Sequence, residues 1–560
     1  MYIEYSSRQW TIRPNKKPLQ VFRYRSPPVK VPNALPRPKF MPSKLVRIED
    51  MRIVPGSQVK EGYCAISYSW NQSGDYVVDP KTKKHIRNDQ GKHKVYLEPW
   101  SIMTTFEGVI RKICQDFNIK YIWYDQMCIN QEDLVEKHRE IHHMHQIYSN
   151  AYCTVALVPE FQMKEVDLSK IERQTPIEQQ ADELFSLFLS AKEIIPTSHW
   201  SLRLWTLEEA IKSQRLLFVG QNTHLWTDTE YHTAYINMLT RPIEDWNVAS
   251  VLHFAHLRSS TNAHDRVFAL ANIFPGIINR ININYTQPLE DLMILFYGLL
   301  AQGDLSILCF GGYNRYKSIG RVKPHRIATT TMMEHYIPIL KFKNLPSWTG
   351  VSGEHKMNPS EGSMVTAFKN YRVHGRIMQL TCAGITNFPS LIYAPNGSLS
   401  VGYDELPPFP KYYNNEDWYI RVPIQFPGQS ECKYIYLADA RGIGENSYRL
   451  RFMVSKWFQL LSLFFNIQKK DLQWHKYPGI HDFITIHFDL TENIVGIRTH
   501  CVILFDIVFK KKNSRWPHLT CPVIKRNGKN HYKAIGTCNI RNRDDLFSGC
   551  TLPEQTFLIE

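Results

Sequence analysis

Tyr63-Cys-Ala-Ile-Ser-Tyr-Ser-Trp70 is a short apolar run closing on hydroxyl and aromatic groups, the pattern of a buried strand. Tyr121-Ile-Trp-Tyr-Asp125, Tyr152-Cys-Thr-Val-Ala-Leu-Val158 and Leu216-Leu-Phe-Val219 read the same way. Helical periods lie between them. Ser101 is placed to cap a helix with apolar positions Ile102, Met103, Phe106, Val109, Ile110, Ile113, Cys114 and Phe117. Leu134, Ile141, Met144 and Tyr148 mark a second helix, and Trp205 to Lys212 a third. Two more follow, one near His264 to Phe274 and one from Leu289 with Leu292, Met293, Phe296, Leu299 and Leu300 on one face. The polar stretch Asn71 to Lys94, with Gly74 and Gly91, reads as a long loop. Strand and helix in alternation, with near-continuous apolar strands, predict an α/β fold whose parallel sheet is covered on both faces.

The texture changes beyond Gly311-Gly312. Residues to about Gly362 look irregular, and then period-two patterns dominate: Ile420, Val422, Ile424, Phe426, and Ile484, Ile486, Phe488, Leu490. Cys501 to Phe509 is strand-like. The expected organisation is a basic, proline-rich arm over 1–44, an α/β domain over 45–310, an irregular connector over 311–361 and a β-rich region, barrel or sandwich, over 362–560. Trp10, Phe22 and Tyr24 are the residues by which the arm would wrap on the body.

The chain has 560 residues, 43% of them hydrophobic and 21% charged, with mean hydropathy −0.34. That composition excludes a largely disordered, collagen-like or heptad-repeat protein. The net charge of +15 is concentrated. Residues 1–44 carry ten basic groups and one acid, residues 510–533 carry eight and none, and the remainder sums to −2. Either segment would suit an anionic partner, but charge runs are mostly solvated, and neither interleaves the aromatics of a stacking platform, so nucleic acid is not the expected partner. The opening residues have no apolar core of a secretory signal, and the most apolar run, Phe458 to Ile467, is too short to span a bilayer. The 11 cysteines form no Cys-x-x-Cys pair, so no zinc ribbon is expected; reduced core thiols in the cytoplasm are. His138, His142 and His145 share a helix face without the glutamate of a His-Glu-x-x-His site, so a solvated face and no metal centre is the expectation for them. Gly442-Ile-Gly444 lacks the third glycine of a dinucleotide fingerprint, Ser447 standing there.

Chemistry-bearing residues gather in three places: Ser67-Tyr68-Ser69-Trp70, Trp123-Tyr-Asp125-Gln-Met-Cys128-Ile129-Asn130-Gln131, and Arg203-Leu-Trp205-Thr206-Leu-Glu208-Glu209. The first two close predicted strands, where ligands bind in open α/β sheets. Each residue also has a plainer reading. The tryptophans suit core packing, Ser67 a backbone contact, Asp125 a helix cap or a partner for Arg203, and Arg203 an ordinary helix pair with Glu208 or Glu209.

These blocks, in this order, resemble the heterokaryon incompatibility (HET) domain of filamentous fungi. Its blocks run as Ser-Tyr-x-Trp, Trp-x-Asp-x-x-Cys-Ile-Asp-Gln and Arg-x-Trp-Thr-x-Gln-Glu. His264-Asp-Arg-Val-Phe-Ala-Leu270 and Leu345-Pro-Ser-Trp348 are similar to its weaker downstream signals. Asn130 departs from the usual Asp, and Glu208 from the usual Gln. The resemblance covers about Tyr63 to Leu270. It implies non-self recognition leading to regulated cell death, and a core distantly similar to the TIR fold, a flavodoxin-like parallel sheet used in innate immune signalling. Ala65 to Ser69 echo the start of TIR domains, and Trp205 to Glu209 their Trp-Cys-x-x-Glu helix. In enzymatic TIR domains that glutamate supports cleavage of the nicotinamide–ribose bond of NAD. The resemblance therefore implies Glu209 as the catalytic residue, NAD as substrate with no cofactor, and Ser67, Tyr68, Trp70, Asp125, Arg203 and Trp205 as substrate-binding residues. The alternative is a non-catalytic, self-associating signalling scaffold whose C-terminal half senses an unknown protein partner.

Overall fold

In this computed structural model the described residues are 2–4, 31–69, 76–78, 85–87, 93–97, 100–104, 106–158, 160–161, 189–220, 223–227, 234–240, 242, 246–256, 258–312, 344–356, 364–366, 368–386, 418–425, 432–437, 466–467, 473–476, 485–492, 501–504, 507–510, 518–541 and 554–560. Trp10, Phe22, Tyr24, Trp70, Gly442-Ile-Gly444 and most of the Phe458–Ile467 run lie outside them. Two compact units result. The first is Met1–Ile243 with Leu257–Gln287, and the second is Glu244–His256 with Pro288–Glu560.

The first unit is built on a seven-stranded sheet. Its strands are β1 (Lys44–Arg47), β2 (Arg52–Pro55), β3 (Cys64–Ser67), β4 (Tyr121–Trp123), β5 (Thr154–Leu157), β6 (Leu216–Val219) and β7 (His224–Trp226). Their order across the sheet is β7-β6-β5-β3-β4-β1-β2. Strand β3 runs parallel to β5 (Ile66 opposite Val155) and to β4 (Cys64 opposite Ile122), and β5 parallel to β6 (Val155 opposite Leu217). Antiparallel partners flank this parallel core, β1 against β4 and β7 against β6. Every residue of β3, β5 and β6 is buried, as expected of strands covered on both faces.

Counted along the chain, the four parallel strands take the spatial order 2-1-3-4. That places the reversal of connection, the point where doubly wound sheets bind ligands, between β3 and β5. The helices are α1 (Phe106–Asp116), α2 (Leu134–Asn150), α3 (Trp205–Lys212) and α4 (Asp265–Ile273). Asp133 caps α2 by accepting from the Val135 and Glu136 N–H groups. Helices α2, α3 and α4 pack on one another. Buried Asn272 of α4 donates to the Ile141 carbonyl at 3.0 Å and bonds His145 at 3.1 Å.

Three expectations are corrected. Trp100–Thr104 is a strand paired antiparallel with His93–Leu97, so Ser101 caps no helix and α1 begins at Phe106. Its β-branched and aromatic residues, Trp, Ile and Thr, take a strand partner the helical period does not reveal. The Asn71–Lys94 stretch is not all loop either, since Tyr76–Val78 pairs with His85–Arg87 in a short hairpin. His145 also leaves the solvated helix face assigned to it, being buried against Asn272.

The second unit is β-rich. Strands β8 (Ile377–Thr386), β9 (Cys501–Leu504), β10 (His518–Arg526), β11 (His531–Arg541) and β12 (Glu554–Ile559) pair in a closed ring, β8-β9-β10-β11-β12 and back to β8. Closure removes free edges and makes this a small barrel. Val248–Ala255, an eight-residue helix with every residue buried, belongs to this unit. Of the downstream motif, Trp348 is fully buried, and its indole N–H donates to the Arg376 carbonyl at 2.9 Å. Nine of the cysteines among the described residues are buried. Among the described residues no helix is long and apolar enough to cross a membrane.

Candidate active site

Strand β3 ends at Ser67, and its position sets the floor of the site. The Ser67 hydroxyl donates to Oε2 of Glu209, 142 residues further along. The Trp200 indole N–H in turn donates to Ser67 Oγ at 2.6 Å. Tyr68, the next residue, donates from its hydroxyl to Asp125 Oδ1 at 2.7 Å. The same oxygen accepts the Gln126 N–H at 2.8 Å, and Asp125 is the first residue of the short helix Asp125–Cys128; the cap position belongs to Tyr124, so Asp125 is not the helix cap the sequence suggests. The Arg203 guanidinium makes one hydrogen bond among the described residues, to the Tyr68 carbonyl at 3.5 Å. It makes no ion pair with Glu208 or Glu209.

Burial sorts these groups. Ser67 is 1% exposed, Tyr68 4% and Glu209 7%, whereas Asp125, Arg203 and Trp205 are half-buried. The site therefore has a buried base and a more accessible rim. Of the seven expected site residues, Ser67, Tyr68, Asp125, Arg203 and Glu209 are joined here by hydrogen bonds, Trp205 stands in the first turn of α3 two residues beyond Arg203, and Trp70 lies outside the described residues. Trp123 belongs to the core, fully buried edge-to-face on Tyr148 with ring centres 5.6 Å apart.

Glu209 is an unusual acid. Burial pushes its pKa up to about 8, reinforced by the Asp125 charge and opposed by the Ser67 hydrogen bond and by Arg203 and Arg258. Glu208 beside it is fully buried, with no hydrogen-bond partner for either carboxylate oxygen among the described residues. Burial, then the Glu209 charge, raises its pKa well above the ordinary range. Burial also lowers the Lys212 amine to about 8.

Several supporting residues carry no signal in the sequence reading. Arg258, buried, donates to the Arg203 carbonyl at 2.9 Å, to Thr206 Oγ1 at 2.8 Å and to the Tyr235 hydroxyl at 3.1 Å, and lies 5.9 Å from the Trp200 ring centre. It fixes the turn that presents Arg203 and starts α3. Trp200 does the same for Ser67. Asp265 stands inside the quoted His264–Leu270 block and accepts a hydrogen bond from the Tyr285 hydroxyl at 2.9 Å.

A buried carboxylic acid, two half-buried carboxylates, an arginine with unused donors and an accessible indole suit a ligand with a cationic ring, sugar hydroxyls and phosphate. Among the described residues no group of His, Cys, Asp and Glu is arranged to hold a metal ion. A family model described as Heterokaryon incompatibility protein (HET) matches residues 63–209. No curated protein and no solved structure matches the chain.

Proposed function

We propose that this chain, which carries a heterokaryon incompatibility domain over residues 63–209, is a non-self recognition and cell-death effector that hydrolyses NAD at the nicotinamide–ribose bond. The observation that carries this reading is the convergence of Ser67, Asp125, Arg203 and Glu209 from stretches far apart in the sequence onto the carboxyl ends of β3 and β4. The 2-1-3-4 strand order supports kinship with the TIR fold. In this reading the Glu209 carboxylate lies beside the ribose. As the C1′–N bond breaks, its electron pair passes to the pyridinium nitrogen and nicotinamide leaves neutral, so no general acid is needed. The positive charge developing at C1′ is stabilised by the fixed carboxylate, and water then adds to C1′ and gives its proton to solvent. Arg203 takes a phosphate and Trp205 stacks on the cationic ring. Ser67 and Tyr68, buried behind the rim, act as positioning residues for Glu209 and Asp125. Incubation of the full chain with NAD, followed by chromatography of nicotinamide and ADP-ribose, tests this directly. Release by the wild type, lost in a folded Glu209→Ala protein, is the expected result. No release by a self-associated wild type favours the non-catalytic scaffold.

A further inference from the structure

The chain just past β5 and the short helix His199–Leu202 meet at one carboxylate. Glu160 Oε1 accepts the His199 backbone N–H at 3.0 Å and the His199 ring Nδ1–H at 2.5 Å, so a single oxygen pins the first residue of that helix twice. The His199 side chain is otherwise exposed, and Glu160 is the charged group that acts on it among the described residues. The next residue is Trp200, whose ring stands edge-to-face with Phe218, centres 5.3 Å apart, and under the Arg258 guanidinium. Those contacts fix the plane of the ring. How far its N–H reaches towards β3 is set by the backbone that Glu160 holds. That reach matters, because the Trp200 N–H takes a lone pair of Ser67 Oγ at 2.6 Å and leaves the Ser67 hydrogen aimed at Glu209 Oε2. A hydroxyl that accepts a hydrogen bond is also a stronger donor. Strands β5 and β3 are neighbours, with Ala156 opposite Ser67, so this chain of bonds crosses the switch point of the sheet.

We infer that Glu160 and His199 are positioning residues for Glu209: their clasp holds Trp200 on Ser67, and through Ser67 it favours the carboxylate form of Glu209 that the proposed cleavage needs. This rests on the reading of Glu209 as the reacting carboxylate, but the clasp can be measured without turnover. Both residues fall outside the three motif blocks, so the clasp adds a support that those motifs do not carry. Burial works against a charged Glu160, yet the two hydrogen bonds from His199 hold its pKa below the usual value. The Glu160 hydrogen bond in turn raises the His199 pKa, against burial. Each ionised form therefore favours the other, as in any charge-assisted pair.

Infrared difference titration of the full chain reads the Glu209 carboxyl directly, its band identified by loss in Glu209→Gln. The wild-type midpoint is expected at about pH 8. Glu160→Ala is expected to move it up by about half a pH unit, a fraction of the roughly one to two units at stake in a hydrogen bond to a charged group. Glu160→Gln, which keeps an acceptor for both His199 N–H groups without the charge, is expected to restore about half of that shift. In a Ser67→Ala background Glu160→Ala is expected to move nothing further, because the link is already cut. A merely structural role would lower the melting temperature of Glu160→Ala and leave the midpoint where it is. An unmoved midpoint in folded Glu160→Ala, or an equal shift with and without Ser67, overturns the inference. Should Glu160→Ala not fold, His199→Ala removes the ring bond alone and is judged by the same midpoint. Nicotinamide release is followed alongside. A shifted midpoint in a wild-type chain that releases none upholds the clasp and counts against the NAD reading, whereas release with an unmoved midpoint overturns the clasp alone.

Discussion

The proposed chemistry places Glu209 at its centre, and the protonation of that residue gives the sharpest expectation. With its pKa at about 8, the free protein holds it mostly neutral at pH 7. Because the proposed cleavage needs the carboxylate, kcat/KM for nicotinamide release should rise about tenfold per pH unit below pH 8 and level above it. Ser67→Ala removes a hydrogen bond that favours the ionised form, so the rising limb should move to higher pH; an unmoved limb means that Ser67 does not hold Glu209. The same burial has a stability consequence. A carboxyl group whose folded pKa lies above its unfolded value destabilises the fold as pH rises from about 4.5 towards 8. Glu208→Gln and Glu209→Gln should therefore each raise the melting temperature at pH 8 and leave it nearly unchanged at pH 4, checked by thermal unfolding at the two pH values. Glu209 was legible in sequence through its motif. Its support by Trp200 and Arg258 was not, because those bonds join side chains brought together only by tertiary packing and have no spacing to read.

Among the elements, the parallel strands were readable because each is an apolar run buried on both faces, a pattern that survives any context. Trp100–Thr104 misread as a helix for the opposite reason, since a strand is decided by what pairs beside it. The helix Val248–Ala255 and the strand Glu354–His355 pack together in the second unit through three histidines. His355 Nε2 donates to the Ile307 carbonyl at 3.0 Å, which leaves Nδ1 to accept from His256 Nε2 at 2.8 Å; His253 Nδ1 donates to the His355 carbonyl at 2.7 Å. With Nδ1 accepting, His355 is neutral in that arrangement. Burial, with His256, His253 and Lys356 nearby, holds the His355 pKa well below its usual value. Histidines buried neutral contribute stability above an unfolded pKa of about 6.5, and that stability is lost as pH falls below it. The second unit should therefore unfold at lower denaturant concentration at pH 5 than at pH 7.5, and His355→Gln should flatten that dependence. Gly350, at φ +69°, has the His355 ring 2.5 Å from where a Cβ would stand. Gly350→Ala should cost about 1–3 kcal/mol of that unit's stability in urea titrations.

Across the whole molecule, the site does not stop where the family match ends. Arg258, Asp265 and Tyr285 belong to the first unit but lie beyond residue 209 and beyond the Glu244–His256 segment, which belongs to the second unit. A fragment ending at Ile243 keeps β1 to β7 but removes α4. That exposes the faces of α2 and α3 it covers and takes away Asn272, the partner of His145 and of the Ile141 carbonyl. Such a fragment should unfold without a cooperative transition, followed by circular dichroism, and bind no NAD; a folded, binding fragment 31–243 would show that α4 is dispensable. The most direct measurement is a crystal structure of the Glu209→Gln protein with NAD. The ribose is expected beside residue 209, the nicotinamide ring over Trp205 and a phosphate on Arg203. Ordered dinucleotide elsewhere on the protein, or an empty site in crystals soaked at saturating NAD, would contradict the assignment of this carboxylate to that bond.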